Sequence, residues 1–212
     1  AWSQNKELRG CAAPEVYSKN RNLSFGLTYS QVPGRLAITR HDIKVEGNTY
    51  KMSAVSEAKG LLALVHAGQL NQSSEGLLIE GKGYAPQQYN EKRGKKPPRE
   101  VVVEAGTKQV QFKRNGESAP YVQGLQDRLS LAYQLAAIWA CNGIESTGVS
   151  AKVPVMSTGK IDFEVFSAEA VEEVMIEQAG KDKAVAGVVA GEHGVLAVEA
   201  PDDQIGRASC RE

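Results

Sequence analysis

Three histidines, His41, His66 and His193, are the side chains best suited to acid–base work or metal ligation in this 212-residue chain. They stand far apart, with neither metal-ligand spacing nor helical pairing, so each reads as a surface or edge residue, with His193 in a Gly-Glu-His-Gly turn. Ser157-Thr158-Gly159-Lys160 has the ending of a phosphate loop but lacks the preceding glycine frame and the strand-to-helix context, and is expected to be a turn between strands. There is no Gly-x-Ser-x-Gly elbow, and no pair among the carboxylates is brought together by sequence spacing. Cys11, Cys141 and Cys210 form neither an even framework nor a Cys-x-x-Cys pair, which leaves a single Cys11–Cys141 bridge as the pairing to weigh in an oxidising compartment. No enzyme, cofactor or metal is expected.

Two polar features remain. Lys92, Arg93, Lys95, Lys96 and Arg99, closed by Pro97-Pro98, form the densest run of charge. It is expected to be a solvated hairpin tip that discourages edge pairing, with contact to phospholipid headgroups or nucleic acid as the functional alternative. Lys plus Arg equals Asp plus Glu at 25 each, so the chain as a whole carries no field for nucleic acid or an anionic membrane, and no nucleic-acid partner is expected. Asp127 and Arg128 lie beside a heavily apolar surface and are expected to be buried in a structural role, paired with backbone amides or with each other's neighbours.

The element that must position these groups is Gly124 to Asn142, the one long stretch with helical period. Leu125, Leu129, Ala132, Ala136 and Trp139 make one stripe and Leu131, Leu135 and Ile138 a second, leaving Asp127, Ser130 and Gln134 as a narrow polar face. Nearly everything else alternates with period two. Strands are expected in residues 22–58 with turns at Pro33-Gly34 and Glu46-Gly47-Asn48, then either side of a break at Gly81 to Gly83, and in a hairpin around Ala105-Gly106-Thr107. Residues 60–70 suggest a helical or irregular crossover. After the helix come strands joined at Thr158-Gly159, a stretch from Ser167 taken as strand, and two valine-rich strands ending near Ala200. The resulting fold class is mostly β, of the α+β kind: a curved antiparallel sheet or half-barrel wrapped around one long apolar helix at about 124–142. Residues 1–21 are expected to be a disordered leader, 22–202 a single domain, and 203–212 a non-native tail without pattern. No apolar run reaches the roughly 20 residues of a membrane-spanning helix.

The segment QDRLSLAYQLA, residues 126–136, resembles the helix of the bacterial domain of unknown function 3108 family, whose most recognisable feature is a Gln-Asp-Arg/Leu-Ser-Leu motif. Collinear similarities follow at Pro33-Gly34, NTYKMSAVSEAKGLLAL, SSEG, YAPQQYNEKR and VLAVEAPD, so the resemblance spans roughly residues 23–202. Val198 stands where that family tends to carry an aromatic, and its closing Leu-Pro-Val strand is absent. The resemblance implies a periplasmic or cell-envelope protein without established activity. More distantly, it implies the half-barrel of periplasmic lipoprotein carriers and outer-membrane lipoprotein receptors.

Two functions follow as expectations. One is a non-enzymatic envelope protein holding an apolar ligand, a lipid or a lipidated protein in its concave sheet, lined by Leu129, Leu135, Trp139, Tyr50 and Met52. The other is an assembly module whose core is filled and whose edges or 92–99 loop dock another envelope component. The size of the cavity between helix and sheet separates them.

Overall fold

The computed structural model describes residues 12, 14, 18, 20–29, 32–60, 63, 68–142, 150–178, 181–190 and 195–197, with backbone alone for the strand residues of 21–36 and from 168 on. Eight antiparallel strands follow one another in chain order in the first sheet: β1 (Arg21–Tyr29), β2 (Val32–Glu46), β3 (Thr49–Ala58), β4 (Gln69–Ile79), β5 (Gly83–Arg93), β6 (Arg99–Glu104), β7 (Gln109–Phe112) and β8 (Glu117–Pro120). Period-two alternation puts one residue of each inner strand into a common row. Ile43, Met52, Ser74, Tyr89, Val101 and Phe112 are successive cross-strand partners, and all are buried. Five of the six are apolar, so water-excluded packing fixes the register, and the sixth, Ser74, needs a polar partner.

The second sheet has five strands in the order β13-β12-β11-β10-β9. These are β9 (Gln126–Asp127), β10 (Ser150–Met156), β11 (Ile161–Gln178), β12 (Lys181–Ala190) and β13 (Val195–Ala197). All its pairings are antiparallel except β9 with β10. Between β9 and β10 in the chain lies the helix α1 (Ser130–Asn142), which contacts β5 of the first sheet and β9 and β13 of the second. Its buried residues, from Ser130 through Tyr133 to Ala137 and Trp139, surround the helix axis, so α1 is a core element covered on opposite sides. Apolar residues of both sheets and of α1 form one core cluster. Among the described residues no helix is long and apolar enough to cross a membrane.

The mostly-β class and the antiparallel meander are as the alternation predicts, and the breaks at Glu46-Gly47-Asn48, Gly81 to Gly83, Ala105-Gly106-Thr107 and Thr158-Gly159 fall between strands. The ambiguous stretch from Ser167 is strand, as part of the long β11. Four readings change. The helix starts at Ser130, because Gln126 and Asp127 pair with Val155 and Met156 and so belong to a sheet. Pro33-Gly34 lies inside β2 as a bulge, since Val32 pairs with Tyr29 and Arg35 with Thr28, leaving Pro33, which has no N–H to give, outside the ladder. The short strand β8 was not foreseen, its alternation being too brief to register. Within the supposed leader, Ala12 is buried and donates its N–H to Gly81 O at 2.8 Å, and Asn20 Oδ1 accepts from Val45 N at 2.7 Å. Most of 61–67, residues 1–11 and the tail 203–212 lie outside the described residues.

Candidate functional site

The entry to α1 holds the densest buried polar cluster. Asp127 Oδ1 accepts the backbone N–H groups of Leu129 and Ser130, each at 2.8 Å, while Ser130 Oγ accepts from Asp127 N at 3.1 Å. This reciprocal pair is an N-cap with its return bond, and it places a carboxylate on the positive end of the helix. Asp127 Oδ2 in turn accepts from Ser74 Oγ at 2.5 Å. Ser74 has only one proton to give, so Tyr50, whose hydroxyl is 2.9 Å from Ser74 Oγ, must donate to it. Among the described residues no cation forms an ion pair with Asp127. Burial therefore raises its pKa from the ordinary 3.8 to about 6, with the hydrogen bonds from Ser74, Ser130 and Leu129 pulling the other way. Burial, and then the nearby Asp127 charge, raise Tyr50 well above the usual phenol range.

Two glutamines fasten the same helix to β5. The strand β6 pairs with β5 only from Gln88 onward, so among the described strands none pairs with the first half of β5 on that side. Side-chain amides take that place. Gln126 Nε2 donates to Tyr84 O at 2.8 Å, Tyr84 N donates to Gln134 Oε1 at 2.8 Å, and Gln134 Nε2 donates to Lys82 O at 2.8 Å. Ser130 Oγ donates to Gln126 Oε1 at 2.9 Å, which joins this clamp to the capping cluster. Gly83 is dictated by the approach: a Cβ there would lie 2.3 Å from Gln134 Oε1 and 3.1 Å from Ala12, and its φ of 85° is left-handed. At the next turn of α1, Tyr133 OH lies 2.5 Å from Nδ1 of His41 on β2, whose partial burial lowers its pKa.

The polar face drawn from Asp127, Ser130 and Gln134 is thus not a solvent face. All three are buried, because each has a partner across the seam. Asp127 has the buried structural role expected of it, whereas Arg128 is exposed. His41, expected at a surface or edge, is half-buried and bonded to the helix; His66 and His193 lie outside the described residues. Ser74, Asp127 and Tyr50 are types that take part in catalysis; they are at 0–1% exposure, and His41, the histidine among the described residues, bonds Tyr133 instead. The cluster joins the helix entry to the first sheet. No group of three or more His, Cys, Asp or Glu able to hold a metal occurs among the described residues.

The five residues expected to line a ligand site, Tyr50, Met52, Leu129, Leu135 and Trp139, do come together, at 1–4% exposure and within one cluster. Tyr50 packs edge-on against Tyr84, with ring centroids 5.0 Å apart. Trp139, the largest fully buried side chain among the described residues, carries an indole N–H that finds no hydrogen-bond partner among them.

The basic residues lie elsewhere, at the β5–β6 hairpin. Arg93, Lys96 and Arg99, with Glu91 and Pro97, line a surface cleft of about 240 Å³. Lys92 and Lys95 are exposed beside it and do not line it. Its turn is held by Gly94 N donating to Gln69 O at 2.8 Å and Lys96 N to Arg93 O at 3.0 Å.

Sequence reasoning missed Ser74, Gln126 and Tyr84 because their roles depend on partners 42 to 53 residues away. Two local signals were present: the Asp-x-x-Ser spacing of a cap at 127 and 130, and a lone Gln134 interrupting an apolar helix. Comparison with family models, with curated proteins and with solved structures found no match.

Proposed function

We propose that this chain is a non-enzymatic protein of the bacterial cell envelope, acting as a β scaffold for assembly with other envelope components, its interior filled by its own side chains. The observation that carries this is the burial of Tyr50, Met52, Leu129, Leu135 and Trp139, each at 1–4% exposure and all within one core cluster. A carrier of acyl chains would keep those residues apart around a cavity of roughly 300–1,000 Å³. The first sheet curls as a half-barrel about α1, and the glutamine clamp and the Asp127 cap hold helix and sheet closed. Envelope placement rests on the resemblance of residues 126–136 and on Cys141, which is disulfide-bonded, as suits an oxidising compartment. Its partner, and the Cys11 pairing weighed above, lie outside the described residues.

The test is native mass spectrometry of the protein released from membranes, followed by titration with a fluorescent acyl probe. The expected result is the mass of the chain alone and no saturable probe binding. A stoichiometric lipid that survives purification and is displaced by the probe would overturn the filled-core reading in favour of a lipid or lipidated-protein carrier.

A further inference from the structure

We propose that the cleft at the β5–β6 hairpin is a binding site for a phosphate group, gripped by Arg93 and Arg99 with Lys96 as a third cation. This inference does not depend on the assembly reading. Strand geometry assembles the site: Glu91 and Arg99 are direct cross-strand partners, and Arg93 follows Glu91 by two positions, so all three side chains leave the same face of the hairpin. That face is the one on which Tyr89 and Val101, the preceding partners, are fully buried, so the cleft lies where the core-facing side of the sheet reaches its rim.

The charges in the cleft are not spent on each other. Arg93, Lys96 and Arg99 make no ion pair with any carboxylate among the described residues, Glu91 included, although Glu91 lines the same cleft. Instead Glu91 Oε2 accepts from Tyr89 OH at 3.3 Å, and that hydroxyl accepts from Gln72 Nε2 at 2.7 Å. The Glu91 carboxylate is thus bonded to Tyr89 rather than to the cations, and three cations against one carboxylate leave the cleft with an excess of two positive charges. Two guanidinium forks on adjacent strands suit the paired oxygens of a phosphate monoester or diester, and an ammonium adds a point charge.

The loop is also set in advance. The bonds from Gly94 N and Lys96 N fix the turn, and Gly94 lies so close to Gly68 that a Cβ on Gly68 would fall 2.9 Å from its Cα. Pro97 and Pro98 fix φ where the chain enters β6, which reduces the ordering needed on binding. At about 240 Å³ the cleft is of headgroup size, below the roughly 300–1,000 Å³ of pockets for drug-sized ligands. The phosphate could come from a lipid headgroup or from a soluble phosphorylated compound.

Both sources are tested on the full chain with inorganic phosphate, followed by amide chemical shifts, and with phosphatidylglycerol or phosphatidylcholine vesicles in a flotation assay. The variants are Arg93→Ala/Arg99→Ala and, as a control removing equal charge outside the cleft, Lys92→Ala/Lys95→Ala. The milder pair Arg93→Gln/Arg99→Gln serves if the alanine variant fails to fold by circular dichroism. Binding should weaken about tenfold in the arginine variants and about twofold or less in the lysine control. Saturable shifts for free phosphate at residues 91–99 without vesicle binding assign a soluble compound. Retention on phosphatidylglycerol but not phosphatidylcholine vesicles, lost in the arginine variants, assigns a headgroup. Equal weakening by both charge removals, or no binding of either probe, would overturn the site.

Discussion

Asp127 is where a single residue most clearly controls stability. Its folded pKa of about 6 lies above the ordinary 3.8, so between those values the native state holds a proton that the unfolded chain releases. Stability from this group is complete below about pH 4 and falls as pH rises to 6, by about 3 kcal/mol in all. Asn at this position can still cap Leu129 and Ser130 but cannot titrate. Urea denaturation at pH 4 and pH 7 should therefore show the stability gap between the parent and Asp127→Asn shrinking by about 3 kcal/mol, or reversing sign, at the higher pH. Parallel curves would mean that Asp127 is not desolvated. His41 works in the opposite sense, since its folded pKa is depressed below 6.5: its contribution is present above 6.5 and is lost as pH falls through the lowered value. Comparing parent with Asp127→Asn cancels that background. Gly83 gives a steric counterpart. Gly83→Ala would place a methyl against Gln134 Oε1 on a backbone with positive φ, and calorimetry should record a loss of about 2–4 kcal/mol, only part of which Gln134→Ala restores.

For the elements, the question is what holds α1 in place. The apolar stripes were legible in part because burial on a helix repeats with a fixed period: Leu135, Ala136 and Trp139 are buried and Leu131, Ala132 and Ile138 partly so, while Leu125 and Leu129 are buried ahead of the helix rather than on it. The strand pattern was legible for the same reason. The clamp was not, since nothing local in Gln126 or Gln134 tells that β6 pairs with β5 only from Gln88 onward, past the Tyr84 backbone that the two amides bond. Likewise the helix start could not be read from amphipathicity, because β10 captures Gln126 and Asp127 from a distance. The same logic limits the candidate site. The five apolar residues belong to one core cluster, but their type does not say whether they surround a space or fill it. Trp139 allows a graded test of packing. Trp139→Ala should cost about 3–5 kcal/mol by urea denaturation, as for other large-to-small core changes. Trp139→Phe should cost less than about 1.5 kcal/mol, because it also removes a buried N–H that has no acceptor among the described residues, whose desolvation costs about 1–3 kcal/mol. Equal losses in the two variants would mean that the indole N–H is satisfied in solution.

At the scale of the molecule, β9 ties the two sheets together through one helix entry, and the far end of the second sheet finishes at β13. That strand pairs with β12 through Val195, Leu196 and Ala197, and the strand order of the described residues places nothing on its other side. A row of unpaired backbone donors and acceptors on a valine- and leucine-bearing strand is a template for another chain, and a second copy offers the same edge. The expected outcome is a concentration-dependent dimer through β13, seen by light scattering with reductant present so that Cys210 plays no part. Lysine on an edge strand opposes such pairing by bringing like charges together and by resisting burial. Successive side chains on a strand point to opposite faces, so of Val195→Lys and Leu196→Lys one must carry its charge outward, whichever way β13 is turned. That variant should stay folded and shift to monomer at concentrations where the parent is dimeric, while its inward counterpart loses stability. If both variants fold and keep the parent's dimer, or the parent is monomeric throughout, β13 is covered by chain beyond Ala197 and the second sheet is closed without a partner.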